Sequence, residues 1–199
     1  MRPKSENIFG RHSTRSFRSE PISEEILESI ISAGLIAPSS KNRQPWMITV
    51  VRREKMTMAI DAMANAIENE LDSVNDEEYA EDLRSALKTM KILKTVPVCI
   101  LIGYIDRKPY RNVKNLNKNL TDRQLVDYLS IGACIENMAL EAEENGIASL
   151  WVGDHLYAED KLRESLGIEE HIVAILALGY PSEEKPAVHT RSDDRVRYL

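Results

Sequence analysis

The sequence lacks the features that would assign it to a membrane, exported or nucleic-acid-binding class. None of its apolar runs is long enough to span a bilayer. Its first residues, 1–7, contain no apolar signal-peptide core, so we expect a cytoplasmic protein. Its formal net charge of -6 argues against a general nucleic-acid binder, because counterion release requires clustered lysine and arginine. We therefore expect neither membrane nor nucleic-acid partners.

Cysteine and histidine are scarce, and their spacing is not typical of metal sites. Cys99 and Cys134 lie in apolar stretches without a Cys-x-x-Cys spacing, which favours buried, reduced thiols over a disulfide or a metal site. The four histidines are scattered, so we expect no zinc. The hydrolase nucleophile elbow, the phosphate-binding P-loop and the Gly-x-Gly-x-x-Gly fingerprint are missing too. The sequence thus contains none of the standard catalytic templates.

The pattern of apolar residues predicts one α+β domain over residues 1–199. The chain has no internal repeat, low-complexity tract or flexible linker that would divide it. The predicted strands are 46–51, 97–104, 148–152 and 173–178. The first predicted helix follows the N-cap Ser23 and ends at Gly34, and the next two cover residues 55–71 and 83–90. A long helix begins at Thr121 or Asp122 and stops at Gly146. A short helix between the third and fourth strands ends near Gly167. Because strands and helices do not alternate strictly, we predict an α+β sheet covered by helices on both faces.

Three polar clusters are unusual for their surroundings. The first, residues 11–15, holds two arginines and two hydroxyls that can donate a fork of hydrogen bonds to a phosphate, although alone it is more typical of an exposed basic turn. The second, residues 37–46, packs small hydroxyls and amides between a helix and a strand. Such a loop can bind a polyol chain or ring carbonyls, or be an ordinary turn. In the third, residues 146–154, a strand runs into Gly153, where backbone N–H groups can approach a flat ligand; a buried strand with a terminal turn is the alternative.

Two stretches of the chain carry charge of a single sign. Residues 68–82 hold eight acidic residues and no basic one, which indicates a solvated face or loop. Residues 107–119 hold five basic residues and no acidic one. This basic loop either favours an anionic ligand or is solvated and offsets the acidic stretch.

In chain order, the polar clusters resemble the motifs of the flavin-dependent nitroreductase family. Residues 11–17 are similar to its Arg-Arg/His-Ser-x-Arg/Lys-x-Phe motif, and residues 38–46 to its Pro-Ser-x-x-Asn-x-Gln-Pro-Trp motif. Residues 132–140 resemble the helix that leads into its Gly-x-x-Ser-x-Trp-x-Gly segment, and residues 178–181 its late strand and turn. Each motif alone is weak evidence for the family, whereas four motifs in the family's order are strong evidence. Residues 72–119 match no motif of the family. In the family, this is the region that differs between members with different substrates.

This resemblance implies a fold, a cofactor and an activity. The fold is nitroreductase-like, with a central mixed sheet flanked by helices in an interlocked homodimer, whose C-terminal arms (residues 181–199) reach the partner. The cofactor is FMN, and the cosubstrate is NADH or NADPH. The expected activity is the reduction of nitroaromatics, quinones or flavins in a two-electron ping-pong cycle. The alternatives are a reductive dehalogenase, an enoate-type reductase, and a flavin-binding regulatory protein without turnover.

The resemblance also assigns FMN contacts, and it requires no acid–base residue from the protein. The resemblance implies that Arg11, Arg191 and Ser13 bind the FMN phosphate. It places His12 along the phosphate and ribityl chain, and Arg15 beside the pyrimidine edge of the ring. Contacts that come in part from the other subunit fall on Pro38, Ser39, Ser40, Asn42 and Gln44. Trp151, Val152 and Gly153 would line the isoalloxazine, with a backbone N–H aimed at N5. Lys88 or Lys91 is a weaker candidate for the carbonyl edge of the ring.

Overall fold

The computed structural model of the chain describes residues 6–106, 122–182 and 196–197. The basic loop, Arg191 and most of the C-terminal arm lie outside the described residues. None of the described helices is long and apolar enough to cross a membrane.

Four strands form one sheet in the order β1-β2-β4-β3. They are β1 (Trp46–Arg52), β2 (Val98–Tyr104), β3 (Ala148–Val152) and β4 (Ile172–Gly179). All four predicted strands are present, and the α+β class is confirmed. Every pairing between them is antiparallel. Within the described part of the chain, the predicted mixed character is realised only by an isolated parallel bridge between Ser13 and Ser149.

Helices cover both faces of the sheet, as predicted. One face packs against α2 (Glu24–Leu35) and α5 (Asp122–Glu144), and the short α1 (Glu6–Gly10) lies against α5. The other face packs against α3 (Arg53–Leu71), α4 (Glu77–Leu93) and α6 (Glu159–Leu166). Side chains alternate along β2: Ile100 and Ile102 point to α2 and α5, whereas Leu101 points to the α3 layer. Burial on both faces explains the continuous apolar run of this strand.

The start of α2 follows the prediction, whereas its end does not. The Ser23 hydroxyl accepts a hydrogen bond from the Ile26 N–H at 3.3 Å, as expected of an N-cap. Gly34 does not end the helix, which continues to Leu35. It is buried where α2 meets α5, and a Cβ there would lie 2.6 Å from Cγ of Met138. The glycine therefore permits close helix packing rather than termination.

The acidic stretch 68–82 forms the end of α3, a turn and the start of α4. Asp76 caps α4 by accepting hydrogen bonds from the backbone N–H groups of Glu78 and Tyr79. Acidic side chains in the first turn of a helix interact favourably with its dipole. Part of the stretch therefore stabilises a helix start, and α4 extends to both sides of the predicted helical stripe at 83–90.

Candidate functional site

The first polar cluster lies along the outer edge of β3. The Thr14 N–H donates to the Ser149 carbonyl at 3.0 Å, and Thr14 is buried whereas the neighbouring Ser13 and Arg15 are exposed. Arg15 Nη1 donates to the Ser13 carbonyl at 3.3 Å. Side chains two residues apart on a strand share a face, so Ser149 and Trp151 point to the same side of the sheet. The structure thus brings residues 11–15 close to the predicted ring-binding strand.

The end of β3 has an exposed aromatic surface and open space. Trp151 is 47% exposed, and its indole approaches α5 at Gly132, where an added Cβ would lie 3.8 Å from Cη2. A Cβ at Gly153 would meet no atom within 4 Å. The side chain of Val152 is buried in the core, so any ligand contact it makes uses its backbone.

Arg11 is oriented by an acidic residue of α5. Its Nε lies 3.1 Å from Oε1 of Glu136, and its side chain is 25% exposed. Among the described residues, neither Nη group of Arg11 has a hydrogen-bond partner. The contact at Nε is an ion pair without hydrogen-bond geometry, and it leaves both Nη groups able to face an anion.

His12 is held by its own segment. Its Nδ1 lies 3.1 Å from the Gly10 carbonyl oxygen, and its Nε2 lies 3.3 Å from the Thr14 hydroxyl. In the neutral tautomer that fits both contacts, Nδ1–H donates to Gly10 and the Thr14 hydroxyl donates to Nε2. A ligand would therefore meet the imidazole ring rather than an unoccupied ring nitrogen.

The second polar cluster forms a loop with unusual backbone conformations. We call residues 38–44 the 38–44 loop. Lys41, Asn42 and Gln44 have φ values of 53°, 52° and 49°, in the left-handed region that non-glycine residues seldom adopt. The Gln44 N–H donates to the Ser39 hydroxyl at 3.0 Å, and Gln44 Nε2 donates to Asn42 Oδ1 at 2.9 Å. Ser39, Asn42 and Gln44 thus form one hydrogen-bonded unit.

Two α5 residues hold the 38–44 loop. The Ser40 N–H donates to the Ser130 hydroxyl at 3.4 Å. Arg43 donates from Nε and Nη2 to the two carboxylate oxygens of Asp127, each at 2.9 Å. Arg43 is 6% exposed and Asp127 is fully buried. Hydrogen bonding to Asp127 raises the pKa of Arg43 above its usual value, so this arginine is always charged.

Sequence reasoning missed Arg43 and Asp127. Arg43 lies within a matched motif at a position that the motif leaves variable. Asp127 lies four residues before Ile131 and seven before Cys134, on the buried stripe of α5. A lone acidic residue on such a stripe requires a buried partner, and that signal was available from spacing alone.

The two polar clusters contact opposite sides of α5. Asp127 holds the 38–44 loop and Glu136 holds Arg11, nine residues further along. At about 100° and 1.5 Å per residue, these positions differ by about 180° around the helix and roughly 13 Å along it. The side of α5 that carries Glu136 also exposes Leu125 and Leu129, which are 49% and 68% exposed.

Helix α4 contacts the end of β3, near the predicted carbonyl edge of the ring. The Thr89 hydroxyl donates to Asp154, which brings α4 to the end of β3. Lys88 and Lys91 are exposed on this helix, and Lys88 Nζ lies 3.9 Å from Glu81, so their role at the ring stays a prediction. In the part of the chain that the structure describes, no three histidine, cysteine or acidic side chains converge as around a metal ion.

Comparisons with known proteins identify related sequences and folds. Residues 8–180 match the Nitroreductase family. A protein of Archaeoglobus fulgidus assigned as an NADH dehydrogenase/NAD(P)H nitroreductase is 31% identical over 192 residues, which cover 94% of this chain and 90% of the relative. A BluB-like flavoprotein from Clostridium difficile 630 has a TM-score of 0.75 and 27% identity, over 98% of this chain and 97% of that one. The FMN-dependent nitroreductase NfnB from Mycobacterium smegmatis, in complex with NADPH, shares the fold with a TM-score of 0.73 and 16% identity, over 98% and 96% of the two chains.

Proposed function

We propose that the chain, which belongs to the nitroreductase family, is an FMN-dependent oxidoreductase that uses NADH or NADPH. Its acceptors are nitroaromatics, quinones or flavins. The assigned activity of the Archaeoglobus relative and the FMN-dependent NfnB support this function. When bound, FMN supplies a two-electron redox centre that NAD(P)H reduces and the acceptor reoxidises.

The exposed indole of Trp151 beside the open space at Gly153 carries this proposal. A flat ring system can lie there with the backbone of residues 151–153 along its edge. Arg11, which forms an ion pair with Glu136 at Nε, supplies two Nη groups for a phosphate, and the exposed Ser13 adds a hydroxyl. FMN carries a single phosphate, so a cradle of glycine amides is not needed. The residues present therefore fit this cofactor, and Arg191 would add a second cation.

We further propose that the functional unit is a homodimer. The 38–44 loop and the first polar cluster (residues 11–15) contact opposite sides of α5 in one chain, so a ligand that contacts both requires two copies. The apolar residues exposed beside Glu136 and on α1 provide a surface for that contact: Leu125, Leu129, Ile8 and Phe9. In this arrangement Pro38, Ser39, Ser40, Asn42 and Gln44 reach the flavin of the partner.

The C-terminal arm completes the proposed dimer. Among the described strands, β1 lies at one edge of the sheet, and its Met47 and Val50 are 41% and 36% exposed. An exposed edge can accept an added strand. We propose that the alternating sequence Arg195-Val196-Arg197-Tyr198-Leu199 pairs as an added strand with the β1 edge of the partner subunit. We also propose that residues 1–199 form one domain.

Flavin content and an acceptor panel test the function. The protein, purified in the presence of FMN, should be yellow, contain one FMN per chain, and reduce a nitroaromatic, a quinone and free flavin. A halogenated phenol and an activated enone in the same panel report on the dehalogenase and enoate alternatives. Failure to bind FMN would contradict the proposal outright. Binding without turnover of any acceptor would point instead to a regulatory protein.

A further inference from the structure

We propose that Arg43 and Asp127 are positioning residues for the flavin: their buried ion pair holds the 38–44 loop in the conformation that presents Ser39, Asn42 and Gln44 to the ring and ribityl chain. The inference rests on the proposed function, since the ligand of the loop is the flavin. Neither residue touches the flavin in the proposed arrangement. They act through the loop.

The geometry of the Arg43–Asp127 ion pair fixes the orientation of the Arg43 side chain. Arg43 donates two parallel hydrogen bonds of 2.9 Å to Asp127, and its Nη2 also donates to Asp106 at 3.2 Å. The Tyr104 hydroxyl donates to Asp127 Oδ2 at 3.4 Å. A bidentate arginine–carboxylate pair restricts both planes and both distances, which a lysine or a single hydrogen bond does not. The Arg43 side chain is thereby tied to α5 and to the end of β2.

The backbone around Arg43 requires such a restraint. Asn42 and Gln44, its two neighbours in sequence, both have positive φ, whereas Arg43 itself has φ −74° and ψ −31°. Left-handed non-glycine residues are strained, and they persist where the surrounding structure over-determines them. The anchored side chain of Arg43 lies between two such residues. Loss of the anchor would let both neighbours relax to negative φ and would turn their side chains away.

General stability is a weaker explanation for this ion pair. Burying two charges costs desolvation energy that largely offsets their attraction, so a buried pair adds little net stability over apolar residues of similar volume. The other buried residues of this stripe of α5 include Ile131, Cys134 and Met138. An arginine and an aspartate among them indicate a requirement for defined loop geometry.

Two variants and one control separate positioning from stability. Asp127→Asn keeps the shape of the acceptor but removes its charge, and Arg43→Lys keeps the charge but removes the fork. The control is Leu83→Ala, a cavity in the α4 layer on the other face of the sheet. Melting temperatures establish that all three fold and that the control loses at least as much stability. FMN and riboflavin are then titrated into each variant, and backbone hydrogen exchange of residues 39–44 is measured without flavin.

Both pair variants should bind FMN and riboflavin more weakly by the same factor, about tenfold or more, because the loop contacts lie away from the phosphate. Exchange at the Ser40 and Gln44 amides should accelerate in the flavin-free variants, and Leu83→Ala should leave affinity and loop exchange near wild type. The Arg43→Lys/Asp127→Asn double variant should be no weaker than the poorer single variant.

Wild-type flavin affinity and unchanged loop exchange in both pair variants, at reduced melting temperature, would overturn the inference. If the wild-type protein itself binds neither flavin, the proposed function fails instead. Loop exchange would then still show whether the pair holds the loop, and slow exchange in both variants would refute that as well.

Discussion

Arg11 and Glu136 form an ion pair, with 3.1 Å between Nε and Oε1, in the middle of the cluster proposed to bind the flavin phosphate. The pair places a negative charge beside a proposed anion site. It also leaves the Nη groups of Arg11 as the donors for that anion. Arg11 and Glu136 therefore make separate, opposite contributions to FMN affinity.

Replacing Arg11 should weaken FMN binding selectively. A charged hydrogen-bond partner is worth about 1.5–3 kcal/mol, so Arg11→Ala should lower FMN affinity by about tenfold to a hundredfold. Riboflavin lacks the phosphate, and its affinity should stay near wild type. Fluorescence titration with both flavins measures the two constants. An equal loss for riboflavin would place Arg11 away from the phosphate.

Neutralising Glu136 should have the opposite sign. Glu136→Gln keeps the size of the side chain beside Arg11 but removes a negative charge near the phosphate. Partly exposed charges interact by roughly 0.2–1 kcal/mol, so FMN affinity should rise by up to about fivefold, with riboflavin unchanged. The gain should shrink at high salt because screening weakens the original repulsion. Weaker FMN binding in Glu136→Gln would mean that orienting Arg11 outweighs the repulsion.

The close contact of α2 with α5 predicts a steric effect at Gly34. A Cβ there would lie 2.6 Å from Cγ and 2.9 Å from Sδ of Met138, so Gly34→Ala should cost about 1–3 kcal/mol of the free energy of unfolding. Urea denaturation measures the loss. In a Met138→Ala background the two closest atoms are gone and Cys134 Sγ at 3.2 Å is the nearest that remains, so the same substitution should cost less. Equal costs in both backgrounds would contradict the steric explanation.

The buried His155 predicts loss of stability in mild acid. It is fully buried, with Nε2 2.9 Å from the Ile172 carbonyl oxygen, and burial lowers its pKa below the usual 6.5. A lowered pKa means that the folded state disfavours the proton. Its contribution is therefore complete above pH 6.5 and declines as the pH falls below that value. Urea unfolding from pH 7.5 to 5 should show a shallower pH slope for His155→Gln, and an unchanged slope would exclude His155 as the group responsible.

The proposed dimer surface predicts a position-specific effect of charge. Leu129 on α5 is 68% exposed and lies in the proposed interface, whereas Met58 on α3 is 71% exposed in the opposite helix layer. Leu129→Asp should dissociate the dimer and lower flavin content, because the 38–44 loop of the partner is lost from the site. Met58→Asp is the matched control and should remain dimeric. Sedimentation velocity distinguishes the outcomes, and a flavin-loaded wild-type monomer would refute the shared site.

Patterns among neighbouring residues predicted the helices and strands of this fold. They did not predict the contacts between those helices, strands and loops. The Ser23 cap and the apolar run of β2 act through neighbouring residues, and the structure has both where the pattern indicated. Gly34 was misinterpreted because a glycine near a helix end indicates termination locally, and only the position of Met138 explains its burial. The motifs identified the polar clusters but not Asp127, whose partner is 84 residues away in sequence. Pairing across that distance depends on how α5 crosses the loop, which no local pattern specifies.

The most direct test of an NAD(P)H-dependent flavoenzyme is an anaerobic titration of the FMN-loaded protein with NADH and with NADPH. At least one of them should bleach the flavin absorbance with about one equivalent per FMN, as two-electron transfer requires. Adding a nitroaromatic or a quinone should then restore the colour without further nucleotide. A flavin that stays oxidised in the presence of both nucleotides would contradict an NAD(P)H-dependent oxidoreductase.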